Sequence, residues 1–282
     1  MTNVTLILPT YNERDNIKTL VSAIIGVFKN LSQYAVTILI VDDNSPDGTA
    51  SVVRELTQEY KNIRLLSKSK EGLGAAYIYG INYALKHSHP DLIIQIDADW
   101  QHNPLLLPDF FKKIESGVDI VIGSRYIKGG SIPGNWGLHR KIFSRAGNLL
   151  VRFVLMRFGH HEWTNGYRIL RSSTYFQVRD KLLEYTGYTF QVAFLHQALL
   201  LNKKVGEIPN KFDERRYGRS KIGSEYVKNL LLYLAKQTVI NPPRILKFLI
   251  VGGFGFIVQF IIFRLFRGLN LRPSLATAVS AE

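Results

Sequence analysis

Through its first 125 positions the chain alternates short unbroken apolar runs with longer stretches whose apolar residues recur every three or four places. Residues 4–8 form the first such run and end at Pro9, which reads as a buried strand. The next stretch places Ile17, Leu20, Val21, Ile24, Ile25 and Phe28 at helical spacing. A second strand is predicted over 36–41, closed by the loop formers of DDNSPDGT. Helix over 50–60, strand over 63–67, helix over 75–86, strand over 92–96 and strand over 120–123 continue the series. Strands alternating with helices of this length predict an α/β domain, a mostly parallel sheet covered on both faces.

In such sheets ligands bind beyond the carboxyl ends of the strands. Polar clusters follow the predicted strand ends here: Pro9-Thr10-Tyr11-Asn12-Glu13, Asp42-Asp43-Asn44, Asp97-Ala98-Asp99 and Ser124-Arg125-Tyr126. Their convergence on one edge predicts the site.

The pattern changes towards the end. Residues 226–240 are apolar with scattered lysines, as in a helix lying on a membrane surface. After Asn241-Pro242-Pro243, residues 248–263 carry no charge, and with snorkelling Lys247 and Arg264 they approach the roughly 20 residues that span a bilayer. Gly252-Gly253 and Gly255 suit helix-on-helix packing in lipid. A further apolar stretch begins in SLATAVSA at the end of the sequence, so a larger, multi-pass membrane domain is expected. The expected division is a catalytic domain over 1–225, an interfacial helix and linker over 226–243 and membrane segments over 244–282. No secretory leader is expected from the opening residues, which places the catalytic domain in the cytoplasm.

At 282 residues the chain fits one large domain or two modest ones. The absence of cysteine removes disulfide scaffolds, thiolate zinc sites and cysteine nucleophiles. The net charge of +14 is uneven: residues 1–120 hold 11 basic and 14 acidic side chains, and the remainder is strongly basic. Anionic partners are therefore expected of the second half. Nucleic acid is not the expected partner, because basic and aromatic residues are not interleaved in the pattern of RNA-binding strands.

Asp97 and Asp99, on alternate positions of an extended segment, would present two carboxylates to one side, with the Gln101 amide beyond. That donor set suits a hard divalent cation that keeps waters and binds substrate phosphates. Asp43 and Glu13 are placed to accept from a ribose or base edge, Tyr11 to stack on a base, and Asp47 to cap the helix near Thr49. KEGLGAAYIYG offers Gly72 and Gly74 before a helix, but Tyr77 holds the third glycine position of the dinucleotide fingerprint. No G-x-S-x-G elbow supports a serine hydrolase. His160-His161-Glu162 reads as a polar turn. Arg125 follows a strand end, Arg140 and Ser144 are four apart, and Arg215, Arg216, Arg219 and Lys221 crowd one glycine-containing loop, all suited to phosphate.

Together PTYNE at 9–13, VDDNSPDGT at 41–49, DADWQH at 97–102, GSRY at 123–126, GY-TFQ at 187–191 and GRSK at 218–221 resemble the family 2 glycosyltransferases with a GT-A fold. Within them they resemble the polyprenyl-phosphate (dolichol-phosphate) mannose synthases, and the tail is similar to the start of a GtrA-type membrane domain. The resemblance implies that Pro9, Tyr11, Glu13, Val41 and Asp43 hold the nucleotide. It implies that Asp97, Asp99 and Gln101 hold Mg²⁺ or Mn²⁺, with Ala98 lining that site. Arg125, Arg140 and Ser144 would bind the acceptor phosphate, and Arg215 and Lys221 would close over the donor diphosphate. Asp99, Arg125, Arg215 and Lys221 are thus the expected catalytic residues. The implied reaction transfers a hexose, mannose from GDP-mannose, to a polyprenyl phosphate at the membrane with inversion; UDP-glucose is the alternative donor, and a non-catalytic nucleotide sensor the alternative class. Two elements depart from the family pattern: Glu162-Trp163-Thr164-Asn165-Gly166-Tyr167 replaces a Ser-Gly-Phe element, and Val192-Ala193-Phe194 follows TFQ where an acidic residue is common.

Overall fold

A computed structural model describes residues 1–212, 224–240, 242 and 244–268. The strands are β1 (Thr2–Thr10), β2 (Tyr34–Asp42), β3 (Ile63–Ser67), β4 (Leu92–Gln95), β5 (Ile120–Ser124), β6 (Arg168–Arg171) and β7 (Val205–Pro209). They form one seven-stranded sheet in the order β3-β2-β1-β4-β6-β5-β7. All run parallel except β6, which is antiparallel to both β4 and β5. This is the expected α/β architecture, with one reversed strand near its middle. Alternate residues of each strand enter opposite layers: Leu6, Leu8, Ile38 and Ile40 one, Ile7, Leu39 and Val41 the other.

The helices are α1 (Arg14–Lys29), α2 (Thr49–Glu59), α3 (Leu73–His87), α4 (Leu107–Glu115), α5 (Leu138–Val154), α6 (Ser172–Val178), α7 (Thr189–Leu200), α8 (Ser224–Ile240) and α9 (Arg244–Gly268). Helix α1 buries the stripe read from the sequence, from Ile17 to Phe28, with α2 and α4 on the same face. On the other face lie α3, α6 and α7; α7 is buried almost all round, so its sequence shows little periodicity. The segment expected to lie flat on a membrane is only partly free. Leu230, Tyr233 and Leu234 of α8 pack into the second core, where Tyr233 Oη and His196 Nδ1 are 2.8 Å apart, while Leu231 and Leu232 stay exposed.

Helix α9 carries the uncharged run. Among the described residues no helix is long and apolar enough to cross a membrane. That search covers only part of this run, since the side chains of Leu249 and Ile250 and those from Leu265 onward fall outside the described set. The apolar side chains that are described, such as Phe254 and Phe256, are exposed.

Candidate active site

Six strands end on the same edge. The reversed strand adds to it, because Arg168 at the start of β6 sits opposite Gln95 at the end of β4. Residues 162–167, which lead into β6, therefore arrive beside the segment that follows β4.

Pro9 and Val41 are register partners in β1 and β2, and both are buried. They hold Tyr11 and Asp43 at the edge. Asp42 is committed to the loops: its carboxylate accepts from Thr10 Oγ1 at 2.9 Å and from the Ser45 hydroxyl and amide at 2.6 and 2.9 Å. Asp43 faces Lys68 Nζ at 3.5 Å; burial raises its pKa, and Lys68 opposes that rise. Lys70 Nζ lies 3.6 Å above the Tyr11 ring. Glu13 ends the turn before α1, accepting from Asn16 Nδ2 at 2.8 Å while its own N–H donates to Thr49 Oγ1. The N-cap of α2 is Gly48 rather than the expected Asp47; Asp47, one residue earlier, accepts from the Thr49 amide and also from the Arg14 amide, which ties α1 to α2.

The DADWQ segment is not the extended continuation of a strand that the sequence suggested. Strand β4 stops at Gln95, residues 98–99 form a turn, and Trp100 is left-handed at φ 67°. Asp99, nearly buried, bends back so that its Oδ1 accepts the Gln101 amide at 3.1 Å. A turn, not strand alternation, sets the two carboxylates. Asp97 keeps 30% of its side chain exposed, and its Oδ1 accepts from the Tyr77 hydroxyl at 2.9 Å. Its amide donates to His102 Nδ1 at 2.9 Å, which puts that ring's proton on Nε2, where Asn165 Oδ1 accepts it at 2.8 Å.

Among the described residues no three His, Asp or Glu side chains gather as a metal cage. Two carboxylates with one amide oxygen nevertheless fit Mg²⁺ or Mn²⁺, which take few protein ligands and complete their sphere with water and substrate phosphate. Ala98, between the two aspartates in sequence, is buried in the core.

Arg125 does reach the site, yet its guanidinium is already engaged. Nε and one terminal nitrogen each donate at 2.8 Å to the two oxygens of Glu162, and that nitrogen also donates to Thr164 Oγ1 at 2.7 Å. Glu162 is fully buried, so it is no part of a solvated turn. Burial alone would raise its pKa, but the Arg125 charge and hydrogen bonds outweigh it and hold the carboxyl below its usual range. Arg140 stacks on Trp136 at 3.7 Å, and Ser144 Oγ is 2.6 Å from Tyr126 Oη. The expected pairing of Arg140 and Ser144 on one helix is met by α5.

Asp97, Gln101, Arg125, Arg140 and Ser144 all line one cavity of about 1010 Å³. Thr164, Asn165 and Gln191 add polar groups, and the apolar part of the wall comes mainly from α5 (Phe143, Leu149, Leu150, Phe153) and α8 (Val227, Leu230, Leu231). Helix α5 also turns Leu138 and Ile142 to the outside, each more than half exposed. Asp43 and Glu13 lie at the neighbouring strand ends and not in this cavity's wall. Arg215 and Lys221 lie outside the described residues. Sequence reasoning gave no individual role to Tyr77, Glu162, Asn165 and Gln191, which hold or line the site; the signals were the glycine-rich stretch before Tyr77, the departing element over 162–167 and the TFQ element.

Residues 5–187 match the sequence signature described as Glycosyl transferase family 2. The chain belongs to this family. It is 33% identical over 233 residues to a polyprenol monophosphomannose synthase of Mycolicibacterium smegmatis, covering 82% of this chain and 85% of that protein. It is 33% identical to a dolichol-phosphate mannosyltransferase of Pyrococcus furiosus, covering 99% and 76%. The family 2 chain is therefore a glycosyltransferase. Its GT-A-like fold is shared with glucosyl-3-phosphoglycerate synthase from Mycobacterium tuberculosis, solved with Mn²⁺, uridine diphosphate and glucosyl-3-phosphoglycerate; the TM-score is 0.55 at 17% identity, over 84% of this chain and 77% of that one.

Proposed function

We propose that this glycosyltransferase moves mannose from GDP-mannose to a polyprenyl phosphate at the cytoplasmic face of a membrane. The observation that carries the reading is the single cavity in which Asp97 and Gln101 meet Arg125, Arg140 and Ser144, with apolar walls from α5 and α8. A small soluble acceptor needs no such walls, whereas a prenyl chain does. The names of the two relatives point the same way. The exposed apolar side of α5 and the uncharged run of α9 would sit at and in the bilayer.

In this reading an oxygen of the acceptor phosphate attacks the anomeric carbon as the bond to the nucleoside diphosphate breaks on the opposite face, with inversion. The phosphate is largely ionised at neutral pH, since its second pKa is about 6, so no general base is required. Arg140 and Ser144 bind the phosphate, with Arg125 held in place beside them by Glu162. Tyr11, Glu13 and Asp43 hold the nucleoside at the ends of β1 and β2. A divalent cation held by Asp97, Asp99 and Gln101 would neutralise charge on the departing diphosphate, and Arg215 and Lys221 would add to that neutralisation.

The test is a transfer assay on the full chain in detergent, with GDP-mannose or UDP-glucose as donor and a short polyprenyl phosphate or 3-phosphoglycerate as acceptor. Mannosyl transfer to the lipid alone is expected. Transfer from UDP-glucose replaces the donor; transfer to 3-phosphoglycerate, or none at all, overturns the proposal.

A further inference from the structure

Helix α3 opens with the glycine pair that resembles a dinucleotide fingerprint, but no phosphate is needed to explain it. Gly72 sits at φ +111°, and a Cβ there would stand 2.7 Å from the Thr186 carbonyl oxygen. A Cβ at Gly74 would stand 2.7 Å from both the Gly187 carbonyl oxygen and Phe190 Cβ, and would also meet the Tyr185 carbonyl. The Ala75 amide donates to Thr186 O at 2.8 Å. The two glycines let the first turn of α3 lie directly on the backbone before α7. That seating carries the residue at the fingerprint's third glycine position, Tyr77, into the protein. Its ring is fully buried and stacks on Phe190, with centroids 6.0 Å apart at 13°, and its hydroxyl reaches Asp97 Oδ1 at 2.9 Å.

We infer that Tyr77 is a positioning residue for the cation-binding carboxylate. A partly exposed aspartate is free to rotate, and it must surrender that freedom when it binds a metal. The Tyr77 hydrogen bond removes the freedom in advance and sets which oxygen is engaged within the protein. The amide hydrogen bond from Asp97 to His102 Nδ1 anchors the same residue through its backbone. Partners of this kind, one step behind a metal ligand, typically change metal affinity by about 10–100-fold. The inference rests on the proposed divalent-cation role of Asp97, Asp99 and Gln101.

The experiment measures Mn²⁺ binding to the full chain in detergent by electron paramagnetic resonance of the free ion, for the wild type and Tyr77→Phe. GDP binding in EDTA and thermal melting are followed alongside. Tyr77→Phe keeps the ring and removes only the hydroxyl. Mn²⁺ should bind roughly 10-fold more weakly, with metal-free GDP binding and melting nearly unchanged. Phe190→Leu, which disturbs the ring stack but leaves the hydroxyl, should lower the melting temperature and spare Mn²⁺ affinity. Equal Mn²⁺ affinity in Tyr77→Phe and wild type overturns the inference. So does an equal loss of metal-free GDP binding, or a Phe190→Leu variant that weakens Mn²⁺ as much as Tyr77→Phe does. A wild type that binds no Mn²⁺ overturns the cation reading first, and the inference falls with it.

Discussion

Replacing Glu162 by Gln removes one charge from a fully buried place and changes almost no volume. In the native protein that carboxylate accepts from Arg125 Nε and a terminal nitrogen at 2.8 Å, and from the Thr164 and Asn165 amides at 3.1 Å. The Arg125 side chain is only 8% exposed, so its charge stays largely desolvated once the partner is lost. Breaking one side of such a buried pair costs about 3–5 kcal/mol, because the remaining charge stays desolvated. At about 2–4 °C per kcal/mol for a domain of this size, melting should fall by roughly 10 °C. Urea denaturation of Glu162→Gln, Arg125→Met and the double variant separates the pair from its surroundings. The double variant should be about 1–3 kcal/mol more stable than the two single losses predict. Acid supplies an independent check. Because the folded carboxyl titrates below its usual range, the pair contributes fully above an unfolded value of about 4.3. That contribution is lost as pH falls through the folded value. If Glu162→Gln melts with the wild type, or the cycle is additive within about 0.5 kcal/mol, the pair is not the support described here.

Asp99→Ala should lower turnover by about 10²-fold or more, the scale for removing one oxyanion-stabilising group. Steady-state transfer rates over a Mn²⁺ titration check this, and saturation with metal should not restore the rate. Arg140→Ala should raise the KM for polyprenyl phosphate while leaving that for the nucleotide sugar in place; equal changes in both would remove Arg140 from the acceptor side. Burial, with a smaller push from Arg157, lowers the His196 pKa to about 4. Between about pH 6.5 and 4 the unfolded chain takes up a proton that the folded chain refuses, so stability should fall with pH across that window, by up to roughly 3 kcal/mol at its foot. Urea midpoints at pH 7.5 and 4.5 read the loss, and His196→Phe should flatten it.

The sequence by itself determined the strands of the first half and the edge where their polar ends meet. Strands β1, β2, β4 and β5 are buried on both faces over most of their length and read as apolar runs, and α1 shows a clean stripe because only one side of it is covered. DADWQH stood out as chemistry for the same local reason, since polar residues crowd where an apolar run stops. Strand β6 was illegible: Arg-Ile-Leu-Arg is four residues long, and it forms a strand only because β4 and β5 offer hydrogen-bonding partners on both sides. Its reversal is a long-range event, and with the Glu207 carboxylate of β7, which accepts from the Glu162 amide at 2.8 Å, it brings Glu162 and Asn165 to the edge where the parallel strands end. Arg168 shows the same dependence: a fully buried cation in β6 is tolerable because the carbonyls of Trp163, Asn165 and Gln191 all accept from it, and Gln191 joins the nearby Trp163 and Asn165 only in the fold. Tyr77 likewise looked like a failed glycine until the backbone of residues 185–187 was seen lying across α3. Local pattern records which face of an element is buried; which distant side chain completes a hydrogen bond there depends on packing that no short window of sequence contains.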